Sequence, residues 1–280
     1  MADYLKFAKS TARQAGKLLN AMHSKVARNY RTKSTALDIV TKADIASEKL
    51  IVSSIKRSFP SHHIMAEEEC SCNHNKTANL RGMAPDAFCW VIDPLDGTTN
   101  YSHGFPFYCV SIALYQGAKT IAGVVYNPTM DEMFYASPGK GAYLNGKKIL
   151  VSNIKSLSQG LLVTGFPYII KEQPGDNFTN FYNFSLTAQA VRRAGAAALD
   201  LCYVACGRFD GFWERELKPW DTSAGALILR EAKGRATDFN NRPYDAFNHR
   251  EILASNKFIH RQMKSILDLN RKERIKYESR

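Results

Sequence analysis

The stretch Asp93-Pro94-Leu95-Asp96-Gly97-Thr98-Thr99-Asn100 follows the apolar run Phe88-Cys89-Trp90-Val91-Ile92. The run reads as a compact strand that ends at Asp93. Pro94 stiffens the turn, and Asp96 comes back to the side of Asp93. Gly97 lets the backbone approach a ligand closely. Thr98 and Thr99 then open a helix, whose free N–H groups make an anion site. One short segment thus supplies acidic metal ligands and a phosphate cradle. By itself it would read as an Asp-Pro turn with a helix cap, which is a common arrangement. Its neighbours change that reading.

Three further acidic positions stand at strand ends or helix starts: Asp44, Glu67-Glu68 and Asp221. Carboxylates are rarely buried without partners. A converging set is costly unless a cation neutralises it. Hard oxygen ligands of this kind suit Mg²⁺, which keeps waters and substrate phosphate in its shell. The seven histidines are scattered, and they read as surface or satisfied core groups. No cysteine or serine nucleophile motif is present. Cys70-x-Cys72-x-His74 lacks the second half of a zinc cluster and reads as part of a loop.

Working outward, residues Tyr4 to Met22 recur at helical spacing, and a basic linker runs from Lys25 to Lys33. Asp44 to Phe59 is a second helix, closed by Pro60. Ile64-Met65-Ala66 is a short strand, and Ser71 to Pro85 is a polar loop. Strands follow at Phe107–Tyr115, Thr120–Tyr126, Glu132–Tyr135 and Ala142–Leu144, with Asn145-Gly146 as a turn. The second half reads as a strand at Leu161–Thr164, then helices at Asn177–Ala190 and Ala196–Ala205. A strand at Phe209–Trp213, a helix at Asp221–Ala232 and a strand near Ala236–Phe239 complete it. Arg261 to Arg280 reads as a basic helix. The mixture predicts a layered sandwich of helices and sheets, of class α+β.

The chain has 280 residues, 45% hydrophobic and 23% charged, which is ordinary for a globular protein with a sizeable core. No run approaches the apolar length of a membrane span, and Met1 to Ser10 contain no signal-peptide core. A cytoplasmic protein is expected. The six cysteines need no disulfide framework. The net charge is +12, with a pI near 9.4. Such a surface attracts polyanions, including phosphorylated substrates and nucleic acid. It carries no RNA-recognition motif.

The joint occurrence of these motifs, in order, resembles the inositol monophosphatase family. That family lies within the lithium-sensitive, Mg²⁺-dependent phosphatases. The resemblance rests on Asp93 to Asn100, Trp220-Asp221-Thr222-Ser223-Ala224-Gly225, Glu67-Glu68, and Asp44 within Val40 to Asp44. Gly123-Val124-Val125-Tyr126 adds to it. Gly165-Phe166-Pro167-Tyr168 and Ala197-Ala198-Leu199-Asp200-Leu201 resemble the bacterial inositol-1-monophosphatase branch. It spans nearly the whole chain.

The resemblance implies one domain over residues 1–280 with an α-β-α-β-α sandwich. Its N-terminal half, about 1–150, would carry the metal site, and about 151–280 the substrate-facing residues. Two to three Mg²⁺ ions are implied. Glu67, Asp93 and the carbonyl of Leu95 would hold the first, and Asp93, Asp96 and Asp221 the second. A third would lean on Glu67. Thr98, paired with Asp44, would orient and help deprotonate the attacking water. The N–H groups of Gly97 and Thr98 would bind phosphate. Gly195, Ala196, Ala197 and Glu214 would face the polyol, with Arg192 nearby. The implied reaction is hydrolysis of inositol monophosphate by a homodimer. Fructose 1,6-bisphosphate, 3′-phosphoadenosine 5′-phosphate, histidinol phosphate and NADP are the alternative substrates. A role as an RNA or transcription-complex partner is a second class of function. Three positions depart from the family pattern: Ala196 replaces Ser or Thr, and Glu216 and Lys233 each replace a glycine.

Overall fold

The computed structural model describes residues 3–23, 30–32, 39–72, 84–167 and 177–278. Most of the expected linker (Lys25 to Lys33) and loop (Ser71 to Pro85) lies outside the described residues, as do His74 and Tyr168. The first half runs α1 (Tyr4–His23), β1 (Tyr30–Thr32), β2 (Ile39–Thr41), α2 (Lys42–Ser58), β3 (His63–Ala66), α3 (Glu67–Cys72), β4 (Phe88–Asp96) and α4 (Thr98–Ser102). Then come β5 (Cys109–Gln116), β6 (Lys119–Asn127), β7 (Glu132–Ala136), β8 (Ala142–Leu144) and β9 (Lys147–Ile149). The second half runs β10 (Leu161–Thr164), α5 (Asn177–Thr187), β11 (Ala190–Arg192), α6 (Ala197–Ala205) and β12 (Gly211–Glu214). It ends with α7 (Pro219–Glu231), β13 (Arg235–Thr237), β14 (Ile252–Ser255) and α8 (His260–Glu278).

Strand alternation builds the layers. In β4, Trp90 and Ile92 face α1 and α2, while Cys89 and Val91 face α6 and α7. In the second sheet, Val163, Phe212, Ile252 and Ala254 face α6 and α7 from the other side. Leu162, Trp213 and Leu253 face α5 and α8. The order is therefore helices, a seven-stranded sheet, helices, a five-stranded sheet, helices. This is the expected α+β sandwich. The seven-stranded sheet runs β3-β4-β5-β6-β7-β8-β9, parallel only between β3 and β4. The five-stranded sheet runs β11-β10-β12-β14-β13 and is mixed.

The middle helix layer meets sheet on both sides, so it is built from small residues. A Cβ on Gly123 would lie 3.0 Å from the Ala224 carbonyl oxygen of α7, and one on Gly225 would lie 2.8 Å from Leu201 Cβ. Gly123 in β6 thus admits the α7 backbone to the sheet.

Several sequence expectations need correction. The expected helix to Ala190 stops at Thr187, and Ala190–Arg192 joins β10 as a parallel edge strand. Ser71 and Cys72 are helical rather than loop. Tyr30–Thr32 of the expected linker pairs with Ile39–Thr41. The strands β9 and β14 were not foreseen. The former completes a hairpin at Asn145-Gly146, both residues having positive φ. The latter is fully buried between its two neighbours, so its pattern has no exposed face to alternate with.

The two replaced glycines have a plain backbone reason. Glu216 has φ +60° and Lys233 has φ +70°, a left-handed conformation that L side chains resist. The Glu216 carboxylate lies 3.4 Å from Arg250 Nη1.

Two predictions follow from the backbone and the core. Glu216→Gly and Lys233→Gly should each raise the urea midpoint by the equivalent of about 0.5–1 kcal/mol, from relief of left-handed strain. A lower midpoint for either would contradict the strain. The second concerns His260, which is 1% exposed and set between Thr237 Oγ1 at 3.1 Å and Ser255 Oγ at 2.9 Å. Burial, and then Arg235, lower its pKa to about 4. Below the unfolded value of about 6.5 the unfolded chain takes up a proton that the folded chain refuses, so stability is lost as pH falls from about 6.5 to about 4. At pH 5 the loss is about 2 kcal/mol relative to pH 7.5, by 1.36 kcal/mol per unit. Chemical unfolding of wild type and His260→Gln at both pH values should show a steeper acid loss for wild type; parallel losses would refute it.

Candidate active site

β4 does not end at Asp93. It continues to Asp96, with Asp93 opposite Ser111 and Asp96 opposite Cys109. Two residues, Pro94 and Leu95, therefore stand against the single Val110, which is a β-bulge. Pro94 has no N–H to lose there, and a bulge re-aims side chains at a strand end. The Asp93 carboxylate turns back to accept the Leu95 N–H at 3.0 Å.

Gly97 follows with φ +91°, and a Cβ there would lie 2.9 Å from the Phe107 carbonyl oxygen. No other residue fits this turn without displacement. It leads into α4, whose Thr98 hydroxyl lies 2.8 Å from Asp44 Oδ1 and 3.0 Å from the Leu95 carbonyl oxygen. One hydroxyl proton serves these two acceptors. Asp44 is held by its own helix start: its Oδ2 accepts the Thr41 N–H at 2.8 Å and the Thr41 hydroxyl at 2.5 Å. Burial, the largest influence, raises Asp44 to about 6 against those hydrogen bonds.

Asp96, Asp221 and Glu67 complete the cluster. Asp96 Oδ2 accepts the Ala198 N–H from the first turn of α6 at 2.8 Å and the Cys109 thiol at 3.6 Å. Asp221 Oδ2 accepts the Lys218 N–H at the start of α7 at 2.7 Å. The acidic cluster therefore draws on both halves of the chain. Burial first, and the neighbouring acids second, push Asp93 and Asp221 well above the usual carboxylate range and Asp96 to about 7. Glu67 is the acid felt by all three. It also hydrogen-bonds to the Asp93 carboxyl. Two carboxyls this close need either a proton or a cation between them. Among the described residues no three His, Cys, Asp or Glu side chains close around one ion-sized point. The acids form an open cluster, and its donor set of carboxylates and a carbonyl fits hard cations such as Mg²⁺.

Among the residues expected to face substrate, Gly195 has φ +87° and leads into Ala196, the N-cap residue of α6. Ala196 is extended there and offers no side-chain acceptor to the helix, which is the role a Ser or Thr would fill. Ala197 is the first helical residue. Glu214, at the end of β12, lies against Gly165: a Cβ on that glycine would sit 2.1 Å from Glu214 Oε1. Burial, with Asp221 and Asp96, holds the Glu214 carboxyl well above its usual range. Arg192 is exposed on the edge strand β11, and its guanidinium turns to its own neighbour's carbonyl, Val191, at 3.3 Å. The cation that reaches Glu214 electrostatically is Arg193, which stacks over Phe166 at 4.9 Å.

Four residues contribute in roles that motif reading did not give them. Asn100 Nδ2 donates to the carbonyls of Phe107 at 2.7 Å and Ala194 at 2.8 Å, tying α4 to the Gly195 turn. Ser47 donates to the Pro94 carbonyl at 2.8 Å. Glu48 accepts the N–H groups of Glu68 at 2.7 Å and Glu69 at 2.9 Å. Burial raises Glu48 to about 7. Asp200, 1% exposed, has no hydrogen-bond partner for either carboxyl oxygen among the described residues, and burial followed by Glu214 pushes its pKa up. Asn100 was legible as part of its motif, though not in this role. Asp200 likewise stands in the stretch Ala197 to Leu201, without a role assigned to it, and Ser47 and Glu48 carry no local signal.

The fold agrees with known proteins. The profile of the inositol monophosphatase family matches residues 1–271. The chain is 42% identical over 267 residues to the inositol-1-monophosphatase of Synechocystis sp., covering 95% of this chain and 89% of that one. It is 41% identical to the Nus factor SuhB of Pseudomonas aeruginosa, covering 91% and 92%. The solved inositol monophosphatase of Anabaena superposes with a TM-score of 0.81 at 40% identity, covering 95% of each chain. With a match of this extent on this fold, the chain belongs to the inositol monophosphatase family.

Proposed function

We propose that the chain is a Mg²⁺-dependent phosphomonoesterase that hydrolyses inositol monophosphate to inositol and phosphate. The observation that carries this reading is the cluster of buried Asp93 with half-buried Asp96, Asp221 and Glu67, set beside the Thr98–Asp44 hydrogen bond. Glu67, Asp93 and the Leu95 carbonyl would hold one ion, and Asp93, Asp96 and Asp221 a second, with a third leaning on Glu67. When bound, Mg²⁺ would neutralise these acids, acidify a water and stabilise charge on the phosphoryl group. The chain's own groups do the rest. Thr98 donates to Asp44, which leaves its oxygen free to orient an attacking water. Asp44, at about 6, is ionised at neutral pH and can accept a proton through Thr98 Oγ1. The N–H groups of Gly97 and Thr98 would bind phosphate oxygens. Glu214 would accept hydrogen bonds from polyol hydroxyls, with Gly195, Ala196 and Ala197 lining the same side. Arg193, rather than Arg192, would balance Glu214. The reading includes lithium sensitivity and a cytoplasmic homodimer. No described helix is long and apolar enough to cross a membrane.

The test is phosphate release. Purified protein with Mg²⁺ should hydrolyse inositol 1-phosphate, and lithium should inhibit it. No release at any Mg²⁺ concentration would sink the reading. Asp93→Asn should lower turnover by more than about 100-fold, beyond the range of outer-shell substitutions. The same change should raise the melting temperature of the metal-free protein, because an acid with a raised folded pKa loses stability as pH rises. An unchanged turnover would remove Asp93 from the reaction.

A second reading is favoured by several relatives named as Nus factors, that of Pseudomonas aeruginosa among them, together with the +12 charge. It is that the same fold also serves as an RNA or transcription-complex partner. Binding to structured RNA should then persist at about 0.2 M salt; binding erased there would reflect general polyanion attraction only.

A further inference from the structure

One turn of α2 reaches three segments of the site. Asp44, Ser47 and Glu48 stand at i, i+3 and i+4, and so share a face of the helix. Asp44 takes the Thr98 hydroxyl. Ser47 grips the carbonyl of Pro94, between Asp93 and Leu95. Glu48 takes two backbone N–H groups at once, Glu68 through Oε2 and Glu69 through Oε1. These N–H groups belong to the first turn of α3, where a helix has no internal acceptors to offer. The cap comes from twenty residues upstream, and Glu48 is only 8% exposed.

The choice of residue is informative. Glu48 places another acid beside a cluster already crowded with them, and an acid there is electrostatically unfavourable. A helix end alone is well served by a local Ser, Thr or Asn. What a local cap does not do is fix α3 to α2. Two oxygens on two successive N–H groups set both the position and the rotation of the turn that begins at Glu67.

We propose that Glu48 is a positioning residue, which fixes Glu67 for metal binding by clamping the first turn of α3 onto α2. The proposal rests on the Mg²⁺ reading above. It requires a carboxylate, because an amide presents one acceptor and one donor to two N–H groups.

Mn²⁺ binding, measured directly by calorimetry on the full chain, provides the test. Glu48→Gln should weaken Mn²⁺ binding by about 10-fold or more, the scale of outer-shell substitutions. In the Glu67→Gln background the same change should alter binding by less than about twofold, since its effect runs through Glu67. Should Glu48→Gln not fold, Glu48→Asp, which keeps the charge but is one methylene short, takes its place with the same expectation. A lowered melting temperature with Mn²⁺ binding within twofold of wild type would overturn the proposal, as that is what a purely structural cap would give. So would equal losses in the two backgrounds. Wild-type protein that binds no Mn²⁺ would overturn the metal reading itself, and so separates the two failures.

Discussion

Mutual repulsion among buried carboxylates is the constraint that the rest of the structure serves. Burial first, and Glu67 after it, drive Asp93, Asp96 and Asp221 above their ordinary range, and Asp96 adds to the rise at Asp93 and Asp221. Acids held this way are unfavourable in the isolated chain and favourable around a cation. The fold must therefore hold them against their own preference to separate. It does so with backbone N–H groups: Leu95 for Asp93, Ala198 for Asp96, Lys218 for Asp221. Each donor is fixed by a strand bulge or a helix start, and none depends on a flexible side chain.

This arrangement divides the work between the layers. The seven-stranded sheet supplies Asp93 and Asp96 through one bulge. The outer helix α2 supplies Asp44, Ser47 and Glu48 from one side. The inner helices α6 and α7 supply Ala198 and Asp221 from the other. The β12 end brings Glu214, seated on Gly165. The small residues of the middle layer let all of these approach one another, because two sheets and two helices must meet within a short distance.

Much of this was legible in the sequence, for reasons that are local. Asp93 to Asn100 holds its turn chemistry in eight consecutive residues. The layers follow from alternation in β4, β5 and β6. The glycines that the resemblance expects at Glu216 and Lys233 have their reason in φ, which a departure from pattern hinted at without explaining. Other features were not legible. Glu48, Ser47 and Arg193 act across layers on partners with no fixed spacing. The tail of the expected α5 helix became an edge strand because β10 offered it a ladder, and tertiary pairing overrides local propensity. The fully buried β14 shows no alternation to read.

Gly123 and Gly225 carry one more consequence. They seat α7 against β6 and against α6, so the middle layer is shared by both sheets. Neither sheet retains a covered inner face when the other is removed. A fragment ending near residue 150 would expose the apolar face carrying Val91, Ala113 and Val125, and would associate with itself before it could adopt the native arrangement. The candidate site and the inner apolar faces of both sheets thus share one seam, and each is completed only when the two halves of the chain are together.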